Sequence, residues 1–192
     1  MTSPSSPSNG SDAAGTVGTV GHGTLPGAAL SELLHASGVA HVVDVRSYPG
    51  SRRHPQYGRE ELTRWLPEAG IGYSWDPRLG GRRRPGATST NVALRNPAFR
   101  AYADHMATAE FAAGLADLLA LTVTTPATVM CAESLWWQCH RRLLADAVVL
   151  VGGRPVSHLF HDGRRAVHIP SPEARVVDGH LVYDVGTTTP LL

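Results

Sequence analysis

The amino-acid sequence predicts one α/β domain in three layers, a mostly parallel sheet with helices on both faces. Apolar, β-branched segments alternate along the chain with segments of helical spacing, an order typical of parallel strands joined by right-handed crossovers. The run at residues 39–43 is nearly all apolar, like strands that are buried on both faces. The 192 residues fit one domain with a buried core.

The elements follow from two periodicities. A β-branched run predicts a first strand over 16–20. Leu30, Leu33 and Leu34 repeat at helical spacing and predict a helix over 25–37, with Gly38 as its C-cap. The same patterns predict helices over 60–69, 99–106 and 110–121, strands over 71–75, 128–130 and 156–160, possible edge strands over 166–169 and 180–183, and one long amphipathic helix over 135–151.

The ends of the chain are predicted to be tails. Residues 1–15 are rich in Ser, Pro, Gly and Ala and are too polar to join a core, so the domain is expected to span 16–185, with a short tail over 186–192. The N-terminal segment lacks the charged and apolar regions of a signal peptide. No apolar run reaches the roughly 20 residues that cross a bilayer, so we expect a soluble, cytoplasmic protein without a membrane partner.

Polar side chains follow three of the predicted strands. His22 follows the first strand, the Asp44 to Arg46 segment follows the second, and Cys131 to Glu133 follow the strand at 128–130. Because ligands bind beyond the carboxyl ends of parallel strands, these three segments are expected to meet at one rim of the sheet.

The charge pattern favours an anionic ligand. All 17 basic residues are Arg, which excludes lysine Schiff-base chemistry and a phosphate-loop lysine. Between Arg46 and Arg100, eleven arginines stand against four acids. Guanidinium groups bind phosphate, carboxylate and nucleic acid through paired hydrogen bonds, although a solvated basic face would produce the same pattern.

Cys131 is the first candidate nucleophile. It is expected to lie between a strand and a helix N-terminus, where the helix dipole lowers a thiol pKa. Rhodanese and tyrosine-phosphatase folds place their cysteine similarly, but their five-residue loop closes with Arg, and here the first Arg after Cys131 is Arg141. The alternative is an inert, buried cysteine. Glu133, near the expected helix start, could act as a general base or complement the dipole.

Cys139 is expected one turn into the same helix, within reach of Cys131. The pair could be a redox couple, a metal site completed by His140, or two core cysteines. A structural disulfide is disfavoured in a chain without an export signal. The metal site lacks the short C-x-x-C spacing and is also disfavoured, so no metal or cofactor is predicted.

The expected substrate-binding residues come from the other strand ends and the arginine-bearing loops. Asp44 and Arg46 are two apart on an extended segment and project the same way, so the carboxylate could fix the guanidinium for an anion or cap the loop. Aromatic side chains nearby could stack a planar base. The full predicted set is His22, Asp44, Arg46, Arg52, Tyr57, Gly80, Gly81, Arg82, Trp136 and Arg141, beside the catalytic candidates Cys131, Glu133, Cys139 and His140.

An ordered series of motifs resembles the bacterial family called domain of unknown function 488. The motifs are Gly18 to His22, Val43 to Ser47 with Pro49 and Ser51-Arg52, Gly70-Ile71-x-Tyr73, Leu79 to Arg82, Phe99 to Ala103, Met106 to Phe111, Met130 to Glu133, Cys139-His-Arg141 with Asp146, and Val156-x-His158. The resemblance runs from about Thr16 to Tyr183.

This resemblance implies a small cytosolic α/β protein with two functionally important cysteines, which match Cys131 and Cys139. Members are often labelled as DNA-repair-associated or iron–sulfur-assembly-like proteins. Trp136 departs from the family, because a Pro is expected at this position of the Cys-Ala-Glu segment, and the change is expected to reshape the pocket wall or the helix entry.

Three functions are compatible with these features. The first is an enzyme acting on a small anionic or nucleobase-like substrate, with Cys131 as nucleophilic or redox thiol, Glu133 or His140 in proton transfer, and arginines as anion clamps. Such an enzyme would be a cysteine-dependent transferase, hydrolase or lyase. The second is a nucleic-acid-binding or DNA-repair accessory module, and the third is a thiol-ligated metal-binding protein. The oligomeric state does not follow from the sequence.

Overall fold

A computed structural model describes residues 15–50 and 53–186. The predicted tails, apart from Gly15 and Gly186, and the predicted ligand Arg52 lie outside these residues.

The main sheet has six strands in the order β3-β2-β4-β1-β5-β6. Their bounds are Val17–Gly21 (β1), His41–Asp44 (β2), Gly72–Trp75 (β3), Ala127–Cys131 (β4), Val156–Leu159 (β5) and Arg165–Val167 (β6). The first five pair in parallel, and β6 is antiparallel to β5. A separate hairpin contains β7 (Ala174–Val177) and β8 (His180–Tyr183). The predicted α/β fold with a mostly parallel sheet is confirmed.

Helices cover both faces of this sheet. They are α1 (Gly27–Ala36), α2 (Arg59–Glu68), α3 (Pro97–Met106), α4 (Ala109–Thr124) and α5 (Arg141–Leu150). Alternate strand residues point to opposite faces, so Val42 packs with α1 and α2 while Val43 packs with α3, α4 and α5. The three layers thus contain two apolar cores.

Side-chain caps start two of the helices. The Asn96 side chain accepts a hydrogen bond from the Ala98 N–H, with Pro97 in the first helical position, and Thr108 accepts one from the Phe111 N–H. In the part of the chain that the structure describes, no single helix is long and apolar enough to cross a bilayer. Helices α3 and α4 meet that criterion only together, across a 78° bend.

The long helix predicted over 135–151 is wrong in its first third. Trp136–Gln138 form a single 3₁₀ turn, and α5 begins only at Arg141. Cys139, between them, has an extended backbone with φ −126° and ψ 158°. The reason is tertiary, because the Trp136 ring stacks on His158 of β5, a residue far from it in the sequence.

Two smaller differences concern the last strands. The predicted strand at 166–169 ends earlier, at Val167, and the strand at 180–183 pairs with β7 instead of lying at an edge of the main sheet. The sequence pattern did not predict β7, whose residues are half-buried or exposed and show no clear alternation.

Candidate functional site

The ends of three neighbouring strands form one rim, as predicted. Gly21 of β1 lies opposite Cys131 of β4, and Asp44 of β2 lies opposite Met130. The pairing continues past the strands, because the His22 N–H donates to the Cys131 carbonyl at 3.0 Å. Segments that are far apart in the sequence are therefore held side by side by main-chain hydrogen bonds.

Asp44 fixes the Arg46 guanidinium at two points. Nε of Arg46 donates to Oδ1 at 2.8 Å and Nη2 to Oδ2 at 2.6 Å, and both side chains are buried. This bidentate pairing orients the planar cation. The predicted Asp44–Arg46 pairing is present.

His22 and Tyr57 hold Arg46 from behind. Nη1 of Arg46 lies 3.2 Å from Nε2 of His22, and Nη2 donates to the Tyr57 carbonyl at 2.8 Å. The two rings stack at 4.0 Å. Burial, with Arg46 adding to its effect, lowers the pKa of His22 to about 4. The imidazole is therefore neutral, with Nδ1–H donating to the Gly23 carbonyl and Nε2 free to accept from Arg46.

Four of the five guanidinium N–H groups of Arg46 thus have partners. The fifth, on Nη1, has no partner among the residues that the structure describes, and since Arg46 lines the cavity described below, this N–H can bind a ligand.

The two cysteines lie in contact at the end of β4. Their Sγ atoms are 2.8 Å apart, and both thiols are free and buried. Nδ1 of His140 lies 3.3 Å from Sγ of Cys139. Sγ of Cys131 also lies 3.7 Å from the Glu133 carbonyl, to which its S–H can donate.

The pKa values of the two thiols move in opposite directions. Hydrogen bonds from Cys131 and His140, with the charge of Arg141, hold the pKa of Cys139 well below its usual range. Burial and the neighbouring Cys139 raise the pKa of Cys131. These directions make Cys139 the more acidic thiol of the pair and Cys131 the less acidic one. From the sequence, the lowered pKa was expected at Cys131 and not at Cys139.

That difference follows from the position of the helix. Cys131 is the last residue of β4 and does not precede a helix N-terminus, because α5 starts at Arg141. Cys139 immediately precedes His140, the N-cap of α5, and is not one turn inside the helix. The expectation that Glu133 lies near the helix start is wrong for the same reason. Glu133 is exposed in the loop.

Arg141 is a buried cation beneath this loop. Its Nη2 donates to the carbonyls of Glu133 and Ser134, and the structure gives its guanidinium no carboxylate partner among the described residues. Its positive charge lowers the pKa of both cysteines. A buried cation without a carboxylate stabilises a nearby anion, and the Cys139 thiolate supplies one.

Glycine at position 21 allows the loop to pack this closely. A Cβ there would overlap the Glu133 carbonyl and Nη2 of Arg141. The glycine-rich end of β1 therefore determines how the loop after Cys131 is seated.

An open cavity of about 370 Å³ lies over the two sulfurs. It is large enough for a small-molecule ligand. Its lining includes both thiols, two arginines and the glycine-containing loops, namely Arg46, Ser47, Tyr48, Gly50, Gly81, Arg82, Cys131, Ala132, Glu133, Cys139 and His140.

The cavity divides the predicted site residues into two groups. Arg46, Gly81, Arg82 and all four catalytic candidates line it. His22, Asp44, Tyr57, Gly80 and Arg141 lie behind these residues and support them, and Trp136 packs against His158. The two glycines bring the 79–82 loop close, because a Cβ at Gly80 would overlap Ser47 and one at Gly81 would overlap the His140 ring.

The predicted set of site residues leaves out four residues of the lining, namely Ser47, Tyr48, Gly50 and Ala132, and the supporting residue His158, although Tyr48 is one of the aromatic residues expected to stack a planar base. Ser47 accepts a hydrogen bond from the Arg82 N–H at 3.1 Å, and the exposed Tyr48 ring forms part of the wall. Both lie within two residues of Arg46, which is a signal that the sequence contained. His158, the ring under Trp136, appears in the sequence only as part of a family motif, and nothing local indicates its contact with Trp136.

The arginine-rich region is less basic at the surface than its composition indicates. Besides Arg46, several arginines have acidic or carbonyl partners: Arg64 with Glu61, Arg78 with Asp76 and Asp117, and Arg100 with the Leu94 carbonyl. Arg82, Arg84 and Arg95 are exposed. The described residues contain no group of three or more His, Cys, Asp or Glu side chains arranged to hold a metal ion.

Comparison with known proteins identifies a family. No curated protein and no solved structure matches the chain. A family match covers residues 28–148, from α1 to the last turn of α5, and includes both cysteines and the Asp44–Arg46 pair. It does not include β1 or β5, to which the resemblance in sequence extended. Because this match covers more than half of the sequence, the chain belongs to the family described as Domain of unknown function DUF488.

Proposed function

We propose that this protein is a two-cysteine enzyme in which the Cys139 thiolate attacks a small anionic substrate and Cys131 is the second reacting thiol. The observation that supports this most directly is the contact between the two sulfurs at 2.8 Å, in the lining of a cavity that also contains Arg46. The role of first nucleophile, which the sequence predicted for Cys131, passes to Cys139 in this proposal.

The charges around the sulfurs favour this assignment. Cys131 donates its S–H to Cys139, and His140 and the Arg141 guanidinium add positive electrostatic potential at the same sulfur. A thiolate is the nucleophilic form of cysteine, so Cys139 is reactive at neutral pH while Cys131 stays protonated.

The presence of a second sulfur in contact with the nucleophile favours thiol–disulfide exchange. Cys139 attacks one sulfur of a substrate disulfide, the substrate S–S bond breaks, and one half leaves as a thiolate. Cys131 then attacks Sγ of Cys139 and releases the other half, while its proton passes to the products. The substrate gains two electrons and leaves as one thiol and one thiolate, and the cysteine pair becomes a disulfide. Two equivalents of a small reducing thiol restore the pair by the reverse steps.

The arginines of the cavity lining favour a substrate with a negative charge. Arg46 offers one guanidinium N–H that has no partner among the described residues, and Arg82 contributes a second, exposed cation to the cavity lining. A disulfide carrying a carboxylate fits these groups best. The exposed Tyr48 ring could stack a planar group such as a nucleobase. Two free cysteines fit a reducing compartment, so we also propose a cytoplasmic location.

A series of disulfides with different charges tests both parts of this proposal. The probes are three alkyl disulfides, namely dithiodipropionate, which is anionic, hydroxyethyl disulfide, which is neutral, and cystamine, which is cationic. Each rate is divided by the rate of the same probe with free 2-mercaptoethanol, because the leaving thiols differ in pKa. Rates of mixed-disulfide formation are followed by acid quench and mass spectrometry. We expect the anionic probe to react fastest and Cys139→Ser to stop the reaction with all three.

Arginine variants test which residues bind the anionic group of the substrate. Arg82→Met should slow the reaction of the anionic probe and leave the other two unchanged. Arg46→Met is combined with Asp44→Asn, so that no carboxylate is left buried without a partner. This double variant should slow the anionic probe about tenfold, as expected for the loss of a charge-assisted hydrogen bond. Arg95→Met, exposed and outside the cavity lining, is the control. Equal rates for the three probes would contradict the anion site, and unchanged rates in Cys139→Ser would contradict the nucleophile.

A second candidate is a nucleic-acid-binding module that uses Arg82 of the cavity lining together with the exposed Arg84 and Arg95. It requires affinity for single- or double-stranded oligonucleotides that falls steeply with salt concentration. Affinity that does not change when Arg82, Arg84 and Arg95 are replaced together would count against it.

A further inference from the structure

A buried chain of hydrogen bonds ends beside the cysteine loop. Oγ1 of Thr19 lies 2.7 Å from Nδ1 of His158, and Nε2 of His158 lies 3.0 Å from Nδ1 of His168. Nε2 of His168 then lies 2.8 Å from Oδ1 of Asp146. The chain connects β1, β5, the segment after β6 and α5, and all four side chains are buried.

The protons of this chain can be assigned from its acceptor end. Both Asp146 oxygens act as acceptors, because Asp146 also accepts hydrogen bonds from the Ser171 N–H and the Tyr183 hydroxyl, and His168 therefore donates to it from Nε2. Nδ1 of His168 accepts from His158, whose own Nδ1 accepts from Thr19. Burial lowers the pKa of His158 to about 3, which agrees with a neutral ring.

His158 is therefore fixed at both ring nitrogens and forms a rigid, flat surface. Trp136 stacks on this surface, with ring centroids 4.0 Å apart and planes 5° from parallel. The indole N–H of Trp136 is buried without a hydrogen-bond partner among the described residues. Ring contacts with His158 and His168, rather than a hydrogen bond, therefore locate this side chain.

Trp136 in turn locates Cys139. It begins the 3₁₀ turn, and its carbonyl accepts a hydrogen bond from the Cys139 N–H at 3.3 Å. The turn is short and bounded by extended residues on both sides, so its placement depends on this stack. Displacement of Trp136 would move Sγ of Cys139 relative to Cys131 and His140.

We infer that His158, held by Thr19 and His168, is a positioning residue that sets the reactivity of Cys139 through the Trp136 stack. The inference rests on the proposed role of Cys139 and concerns residues outside the cavity. It also gives a reason for the buried polar chain. An apolar core at this place would avoid the cost of removing the Asp146 carboxyl group from water, so a chain that is kept despite this cost is expected to have a function.

The test is the pH dependence of Cys139 alkylation by iodoacetamide, with the modified residue identified by mass spectrometry. The charged or titratable groups that act on Cys139 are Cys131, His140 and Arg141, with the buried Tyr102 hydroxyl nearby. We expect His158→Leu and Trp136→Leu each to raise the titration midpoint of Cys139 by about one unit. At pH values below the wild-type midpoint, the rate of Cys139 alkylation should then be about tenfold lower than in the wild type.

A double variant separates positioning from general destabilisation. If both residues act through one stack, the midpoint in His158→Leu/Trp136→Leu should equal that of the single variants and not the sum of their shifts. Thr19→Val, which is nearly isosteric, should shift the midpoint in the same direction by a smaller amount. This variant replaces the leucine variants as the test if they do not fold. His41→Leu removes a hydrogen-bonded histidine at the opposite end of the sheet and is the control.

Unchanged midpoints in the folded variants, or additive shifts in the double variant, would overturn the inference. A wild-type protein whose Cys139 shows no enhanced reactivity would instead overturn the proposed function, so the two failures are distinguishable.

Discussion

Sγ of Cys131 and Sγ of Cys139 lie 2.8 Å apart across a loop of seven intervening residues, and the pKa values of the two thiols are shifted in opposite directions. Burial favours the protonated form of Cys131, and the hydrogen bonds that Cys139 receives favour its thiolate. The reactivity of each cysteine therefore depends on the other.

Replacement of Cys131 should make Cys139 less acidic. Cys131→Ala removes the hydrogen bond that contributes most to the low pKa of Cys139, so the midpoint for alkylation of Cys139 should rise by roughly one unit. Cys131→Ser retains a donor and should cause a smaller rise. In Cys139→Ser, alkylation of the remaining Cys131 near neutral pH should be slow, and rapid labelling of Cys131 there would contradict the assignment of the proton.

Loss of the Asp44 carboxylate should destabilise the fold and release Arg46. Asp44→Asn breaks a buried ion pair and leaves the guanidinium without its counter-ion, so the free energy of unfolding should fall by about 3 kcal/mol or more in urea denaturation. Glu61→Gln removes one partner of an exposed arginine, Arg64, and should cost less than about 1 kcal/mol. Similar losses in the two variants would show that the Asp44–Arg46 pair is not energetically special.

His22 should make the protein less stable in acid. Its pKa is about 4 in the folded protein and near 6.5 in the unfolded chain, so between these values the unfolded chain binds more protons. The free energy of unfolding should therefore fall as pH drops from about 6.5 to 4, by on the order of 3 kcal/mol from this residue. In His22→Gln the slope of stability against pH should be shallower over that range. An identical slope would mean that His22 is not held neutral.

A methyl group at Gly81 should disturb the site without disturbing the core. A Cβ there overlaps the His140 ring, so Gly81→Ala should displace the imidazole from Cys139 and slow alkylation of Cys139 on the order of fivefold to tenfold. Gly86→Ala, on the same loop, meets its nearest atom at an ordinary 3.5 Å and is the matched control. Equal rates in the two variants would show that the close approach of Gly81 to His140 has no functional consequence.

Several features of the site were accessible from local sequence. The spacing of Asp44 and Arg46 predicted their contact because side chains two apart on an extended segment point the same way. The apolar strand runs at 39–43 and 128–130 predicted parallel neighbours, which placed the residues after them at one rim. Both predictions depend on interactions between residues that are close in sequence or on the general rules of parallel sheets.

The distribution of charge between the cysteines was not accessible in this way. The helical periodicity of 135–151 gave no sign that Trp136 would stack on His158, 22 residues further along the chain, and shorten the helix. That shift moved the helix N-terminus from the vicinity of Cys131 to Cys139.

The amino-acid sequence by itself determined the α/β fold, the rim at which the site is built and the residue types that line it, since these follow from periodicity and strand order. Tertiary structure alone decided which thiol is the more acidic and which buried ring lies behind it. The physical reason is that a pKa depends on the solvation and charges within a few ångströms of the group, and those neighbours come from segments that meet only when the chain is folded.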